Sequence, residues 1–142
     1  MLNSAAMPEF NLPLGGDFAL GPIGQVSVNA HDLDRAVAFY SERLRLPLLF
    51  RSAGMAFFNA GGLRLMLAKP ERPEFDHPGS VLYFTVPEIR AAYQALVERG
   101  VHFAGPPHLV ARLERSELWM AFFHDSEANL LALMCEAPLS AA

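Results

Sequence analysis

What this chain has little of narrows its function before any motif is considered. It carries one cysteine, Cys135, in 142 residues, so no internal disulfide can form and a reducing, cytoplasmic setting is expected. Only 11 residues are Lys or Arg against 15 Asp or Glu, a formal charge of −4. Nucleic-acid binding needs a clustered basic face, and no Lys/Arg run marks an anionic membrane surface, so neither partner is expected. Apolar runs break off well short of the roughly 20 residues that a membrane-spanning helix requires. The first residues lack a basic start and an uninterrupted apolar core, so no signal peptide is read there. No G-x-S-x-G elbow, phosphate-binding loop or dinucleotide fingerprint is present.

What the chain does have is apolar content, 52% of it, arranged in a pattern stated twice. Gln25-Val-Ser-Val-Asn-Ala-His-Asp-Leu-Asp-Arg-Ala-Val-Ala-Phe-Tyr is answered about 56 residues later by Val81-Leu-Tyr-Phe-Thr-Val-Pro-Glu-Ile-Arg-Ala-Ala-Tyr-Gln-Ala-Leu. In each copy a short strand runs into an acidic residue, Asp32 or Glu88, and then into a helix with an apolar stripe. Asp32 suits a helix N-cap because its carboxylate can accept from the free amides of the first turn. The stripes are Leu33, Ala36, Val37, Tyr40 and Leu44 in one copy and Ile89, Ala92, Tyr93 and Leu96 in the other. Pro47 stops the first helix, Pro87 fits the start of the second, and Gly100 its end.

Short strands follow each helix, expected at 48–51, 55–59 and 63–68, and then near 101–104, 108–113, 117–123 and 130–135, the first two of the second set readable as one interrupted strand. The chain thus parses into an arm (1–22, with room for a short edge strand), a first βαβββ module (23–69), a proline-rich linker (70–80), a second βαβββ module (81–136) and a frayed tail (137–142). The fold class is α+β, two modules forming a cleft between curled mixed sheets, since a unit of this size cannot bury its apolar face alone.

This pattern resembles the vicinal oxygen chelate superfamily, which includes glyoxalase I, bleomycin-resistance proteins, methylmalonyl-CoA epimerase and extradiol dioxygenases. The resemblance covers roughly residues 23–136. Its local echoes are Asp32-Leu-Asp-Arg-Ala-Val-Ala-Phe-Tyr with Leu44-Arg-Leu after it, and Phe123-His-Asp-Ser-Glu-Ala-Asn-Leu-Leu-Ala-Leu near the end. Arg45 stands where the family usually has a helix-ending Gly, and Ser126 and Ala128 replace a usual Pro and Gly. The resemblance implies a divalent metal held by four side chains, two from the opening and two from the closing strands of the modules. Carried onto this chain, those positions fall on Gln25, Val81, Met66 and Ala132. Gln is an acceptable oxygen ligand, Val and Ala have no donor atom, and Met is a soft thioether unsuited to hard divalent ions. No metal and no other cofactor is therefore expected.

Strand alternation puts Gln25 and Ser27 on one face, and likewise Val81, Tyr83 and Thr85; Arg64, Met66 and Ala68; Leu130, Ala132 and Met134. These rows either line an apolar pocket with a few polar groups or fill a core left by a lost metal. The candidate ligand-binding positions are Gln25, Ser27, Arg64, Met66, Val81, Tyr83, Trp119 and Ala132. Arg64 can bind a carboxylate or phosphate bidentately; a salt bridge at the rim or an edge-strand charge that blocks aggregation explains it as well. Trp119 and the Phe57-Phe58 and Phe122-Phe123 pairs can stack on a planar ligand or serve as ordinary core. None of the five histidines, His31, His77, His102, His108 and His124, forms a close pair at metal-ligand spacing, although His102 and His108 could meet across Pro106-Pro107. Cys135 reads as a buried, inert thiol. The leading expectation is metal-independent binding of a small, largely apolar molecule in the cleft by a homodimer. The alternatives are a lyase, isomerase or dioxygenase of the same superfamily working with a displaced metal or none, and a protein-interaction module with a closed cleft.

Overall fold

Two mixed sheets, each with one helix against one face, make an α+β architecture. The computed structural model describes residues 18–139, and the chain divides into two compact units between His77 and Pro78, inside the expected linker. The expected arm lies mostly outside the described residues, as do the last three residues of the tail.

In the first unit, β1 (Gln25–Asn29) leads to α1 (Leu33–Ala38), and β2 (Leu48–Ser52), β3 (Met55–Ala60) and β4 (Leu63–Ala68) follow. The sheet order is β1-β4-β3-β2. β1 pairs with β4 in parallel because a helix separates it from its partner, while the short turns at Ser52-Ala53-Gly54 and Ala60-Gly61-Gly62 make the other pairs antiparallel. The first turn needs Gly54 (φ 80°), a conformation that L side chains rarely adopt. Asp32 caps α1 as expected, accepting from the Arg35 amide at 3.1 Å.

The apolar stripe of α1 differs from expectation in its second half. After Ala38 the backbone widens into a π turn over Phe39–Arg43, with the Leu44 amide donating to the Phe39 carbonyl at 3.1 Å. One extra residue per turn rotates the following side chains. Phe39 is buried next to Tyr40, whereas Val37 before the π turn and Leu44 after it are only half-buried. Tyr40 lies against Phe58 of β3, ring centroids 5.9 Å apart. With Leu33, Ala36, Leu65 and Leu67 they form the helix-facing core.

The second unit repeats the plan: β5 (Leu82–Thr85), α2 (Ile89–Glu98), β6 (His102–Phe103), β7 (His108–Arg112), β8 (Ser116–His124) and β9 (Leu130–Pro138). β5 pairs in parallel with β9, β9 is antiparallel to β8, and both β6 and β7 pair with β8. Since β9 runs along one edge of β8 throughout, β6 and β7 share the other, as one strand broken at Pro106-Pro107, where a proline cannot donate to the ladder. β9 extends through Pro138 because β8 offers ladder partners as far as Ser116, so Ala137 and Pro138 belong to the strand and not to the expected frayed tail.

Glu88 is the N-cap of α2, its carboxylate accepting from the amides of Arg90 (3.2 Å) and Ala91 (2.7 Å). Pro87 therefore precedes the cap instead of opening the helix. The C-terminus closes as expected on Gly100 (φ 84°), with Gly100 N–H donating to Val97 and Val101 N–H to Leu96, which satisfies two carbonyls that the helix leaves free. Ile89, Leu96, Phe123, Leu131, Leu133 and Cys135 are buried, and the Cys135 thiol sits 3.5 Å from the Pro87 carbonyl.

Candidate functional site

Each sheet buries one face beneath its own helix and turns the other away from it. In the first unit, Gln25 pairs with Arg64, Ser27 with Met66, and Met66 in turn with Phe57 of β3, so these five side chains share the face away from α1. The sequence brings them there by alternation: the intervening Val26, Val28, Leu65, Leu67 and Phe58 point to the helix.

The polar members of this face are joined. Arg64 Nε donates to Gln25 Oε1 at 2.6 Å, and Gln25 Nε2 lies 3.8 Å from the Met66 sulfur. The Arg64 guanidinium carbon stands 5.3 Å from the centre of the Phe57 ring, in cation–π range. Phe57 is stacked on Phe50 of β2, centroids 4.4 Å apart and planes 15° from parallel. That sandwich leaves Phe57 only 8% exposed although it faces away from the helix.

In the second unit, Tyr83 pairs with Ala132 and Thr85 with Met134, and Phe122 of β8 lies opposite Ala132. Tyr83 is 45% exposed and meets the Phe122 ring edge-on at 6.0 Å. His108 is stacked on the same ring at 6.1 Å. Val81 lies just before β5 and is half-buried.

The structure thus brings together Gln25, Ser27, Arg64 and Met66 within one unit, and Tyr83 and Ala132 within the other. Trp119 does not join them. It pairs with Cys135, one residue out of step with the Phe122–Ala132 row, so it lies on the helix-facing side, where Arg90 of α2 covers it at 5.2 Å. Odd and even positions of β8 have opposite fates. Nor do His102 and His108 meet across the proline bend: His102 pairs with His124. Among the described residues no three His, Cys, Asp or Glu side chains converge as a metal-binding group.

Phe50 was not among the sequence candidates, and Phe57 and Phe122 entered only within the Phe-Phe pairs that could stack on a planar ligand, with no face assigned to either ring. A signal for two of them is in the chain: Met55-Ala-Phe-Phe in β3 recurs as Met120-Ala-Phe-Phe in β8. The first phenylalanine of each copy pairs with an open-face residue, Met66 or Ala132, and the second with a core leucine, Leu65 or Leu131.

The turn entering β9 is held by Asp125, which is 7% exposed. Its Oδ1 accepts from the amides of Glu127 and Asn129, both at 2.8 Å, and Oδ2 accepts from the Asn129 side chain at 2.8 Å. This hub anchors the strand that carries Ala132.

Comparison with known proteins agrees with this architecture. The family model described as the Glyoxalase/Bleomycin resistance protein/Dioxygenase superfamily matches residues 22–114. Among solved structures, a member of that superfamily from Sphaerobacter thermophilus DSM 20745 superposes with a TM-score of 0.70 at 21% identity, covering 82% of this chain and 98% of its own. TnmS3, an antibiotic binding protein from Streptomyces sp. CB03234, gives 0.66 at 23%, covering 84% and 99%. Lactoylglutathione lyase from Agrobacterium tumefaciens gives 0.61 at 18%, covering 82% and 94%. No curated protein matches the chain in sequence. The family model spans well over half of the residues, and the chain belongs to the glyoxalase/bleomycin resistance protein/dioxygenase superfamily.

Proposed function

We propose that this protein binds a small, largely apolar molecule, without a metal, in the cleft that the duplicated sequence implies. The observation that carries this reading is the state of Gln25. Of the four positions that the resemblance assigns to metal ligands, it alone has a hard donor atom, and that oxygen accepts a 2.6 Å hydrogen bond from the Arg64 guanidinium. A divalent cation there would face a fixed positive charge and would share its oxygen with it. Met66, Val81 and Ala132 supply no hard donor. The residues present do not fit the metal.

What remains on the open faces suits binding. Met66 and Phe122 offer apolar surface above the buried Phe57 and Ala132, and Gln25, Arg64 and Tyr83 offer a few directional polar groups, the mixture typical of ligand pockets. One structural neighbour is an antibiotic binding protein, which supports small-molecule binding as a use of this fold. A compound library screened by thermal shift tests the reading, because a ligand that binds only the folded state raises its stability by mass action. Met66→Trp is expected to abolish binding of a hit and to cost about 1–3 kcal/mol through overpacking. A folded Met66→Trp variant that binds the hit unchanged would place the pocket elsewhere.

The same reading includes a homodimer in the cytoplasm, in keeping with the small core of each module and the lone buried thiol. Light scattering at micromolar concentration checks the dimer, and a monomer mass would contradict it.

A further inference from the structure

Arg64 is a cation in an unusual position. It stands on β4, which lies between β1 and β3, so it is no edge-strand charge. It is half-buried, and among the described residues no carboxylate pairs with it. A partly desolvated guanidinium without an anion is costly unless its hydrogen-bonding capacity is used. Its Nε is used by Gln25, and its plane is held near the Phe57 ring. The two terminal nitrogens keep their N–H donors, the fork that matches a carboxylate in two parallel bonds. The strand rows beside it bring no competing acid: Gln25, Ser27 and Asn29 on β1, and Met55, Phe57 and Asn59 on β3.

We propose that Arg64 receives the carboxylate of the bound molecule, so that the ligand class is a small organic acid with an apolar body. The inference rests on the proposed small-molecule reading and narrows it. Gln25 is then a positioning residue, which accepts from Nε and turns the terminal nitrogens toward the ligand. Phe57 backs the guanidinium, and Met66, beside it on the same face, provides an adaptable wall for the apolar body.

Matched acid and amide pairs test it: benzoate with benzamide, 2-naphthoate with 2-naphthamide, and decanoate with decanamide, titrated calorimetrically against the full chain. The acid of at least one pair is expected to bind about 10–100-fold tighter than its amide, as a charge-assisted hydrogen-bonded pair implies. Arg64→Met should remove that preference, lowering acid affinity about tenfold or more beyond any loss of amide affinity. Gln25→Glu, nearly isosteric, should do the same by supplying an internal carboxylate to Arg64. Circular dichroism on each variant confirms the fold before titration. Equal affinity for acid and amide in the unaltered protein would overturn the carboxylate assignment and leave the apolar-binding reading standing. An acid preference that survives both substitutions would also overturn it, since the anion would then be held by another group. No binding of any pair would count against both readings.

Discussion

The two units are built on one plan and differ on one face. Toward the helix, equivalent positions stay apolar: Leu33 answers Ile89, Ala36 answers Ala92, Leu65 answers Leu131, Leu67 answers Leu133, and Phe58 answers Phe123. Away from the helix they diverge. Gln25 answers Val81, Ser27 answers Tyr83, Arg64 answers Leu130, and Met66 answers Ala132. The fold constrains the first set through packing, because a helix-facing position that turns polar buries an unsatisfied group. It makes no such demand on the second set. The Phe57–Phe122 equivalence is the exception, an aromatic kept on the open face in both units, where it backs Arg64 in one and meets Tyr83 and His108 in the other.

The sharpest way to break this comparison is to truncate neighbours that point in opposite directions. Phe123→Ala empties a fully buried site between sheet and helix and should cost about 3–5 kcal/mol. Phe122→Ala removes a half-buried ring from the other face and should cost only about 1–2 kcal/mol. Urea unfolding of the two variants measures both. Equal losses would show that the face away from the helix is as much a core as the one beneath it.

A smaller effect sharpens the view of the backbone. Arg45 (φ 58°) and Ala128 (φ 65°) hold the left-handed conformation for which the family pattern has glycine. The substitutions have therefore kept the turns and accepted strain of about 1–2 kcal/mol per residue. Arg45→Gly and Ala128→Gly should each stabilise the protein by about 0.5–1 kcal/mol, after the greater chain entropy of glycine is subtracted. Thermal denaturation reads this out, and a lowered melting temperature in either would show that the side chain contributes more than its backbone costs.

Strand positions, most of their faces and the α1 cap were legible in the sequence, because alternation, the Asp32 carboxylate and the glycine of the α2 terminus are local signals. The π turn was not. A 3.6-residue stripe assigned Val37 and Leu44 in place of Phe39, and no local pattern marks where the helix widens over Phe39–Arg43. Pro87 was placed one step too far into the helix because Glu88 is the better cap. At the candidate site, alternation put Gln25, Arg64 and Met66 in their rows, but their hydrogen bond spans a parallel pairing whose register is set by the whole β1–α1–β4 crossover. For the same reason Trp119 and Phe122, three residues apart, could not be assigned to faces without knowing which of them opposes Ala132.

The divergence of the open faces comes to a point at Gln25, whose oxygen is held by a guanidinium. Elemental analysis of the dialysed protein measures this most directly. No stoichiometric Zn, Ni, Fe, Mn or Mg is expected, and Arg64→Met should not create metal binding, since Met66, Val81 and Ala132 still offer no hard donor. One equivalent of metal that disappears in Gln25→Ala would contradict the metal-free reading, and with it the proposed role of Arg64 as the carboxylate receptor.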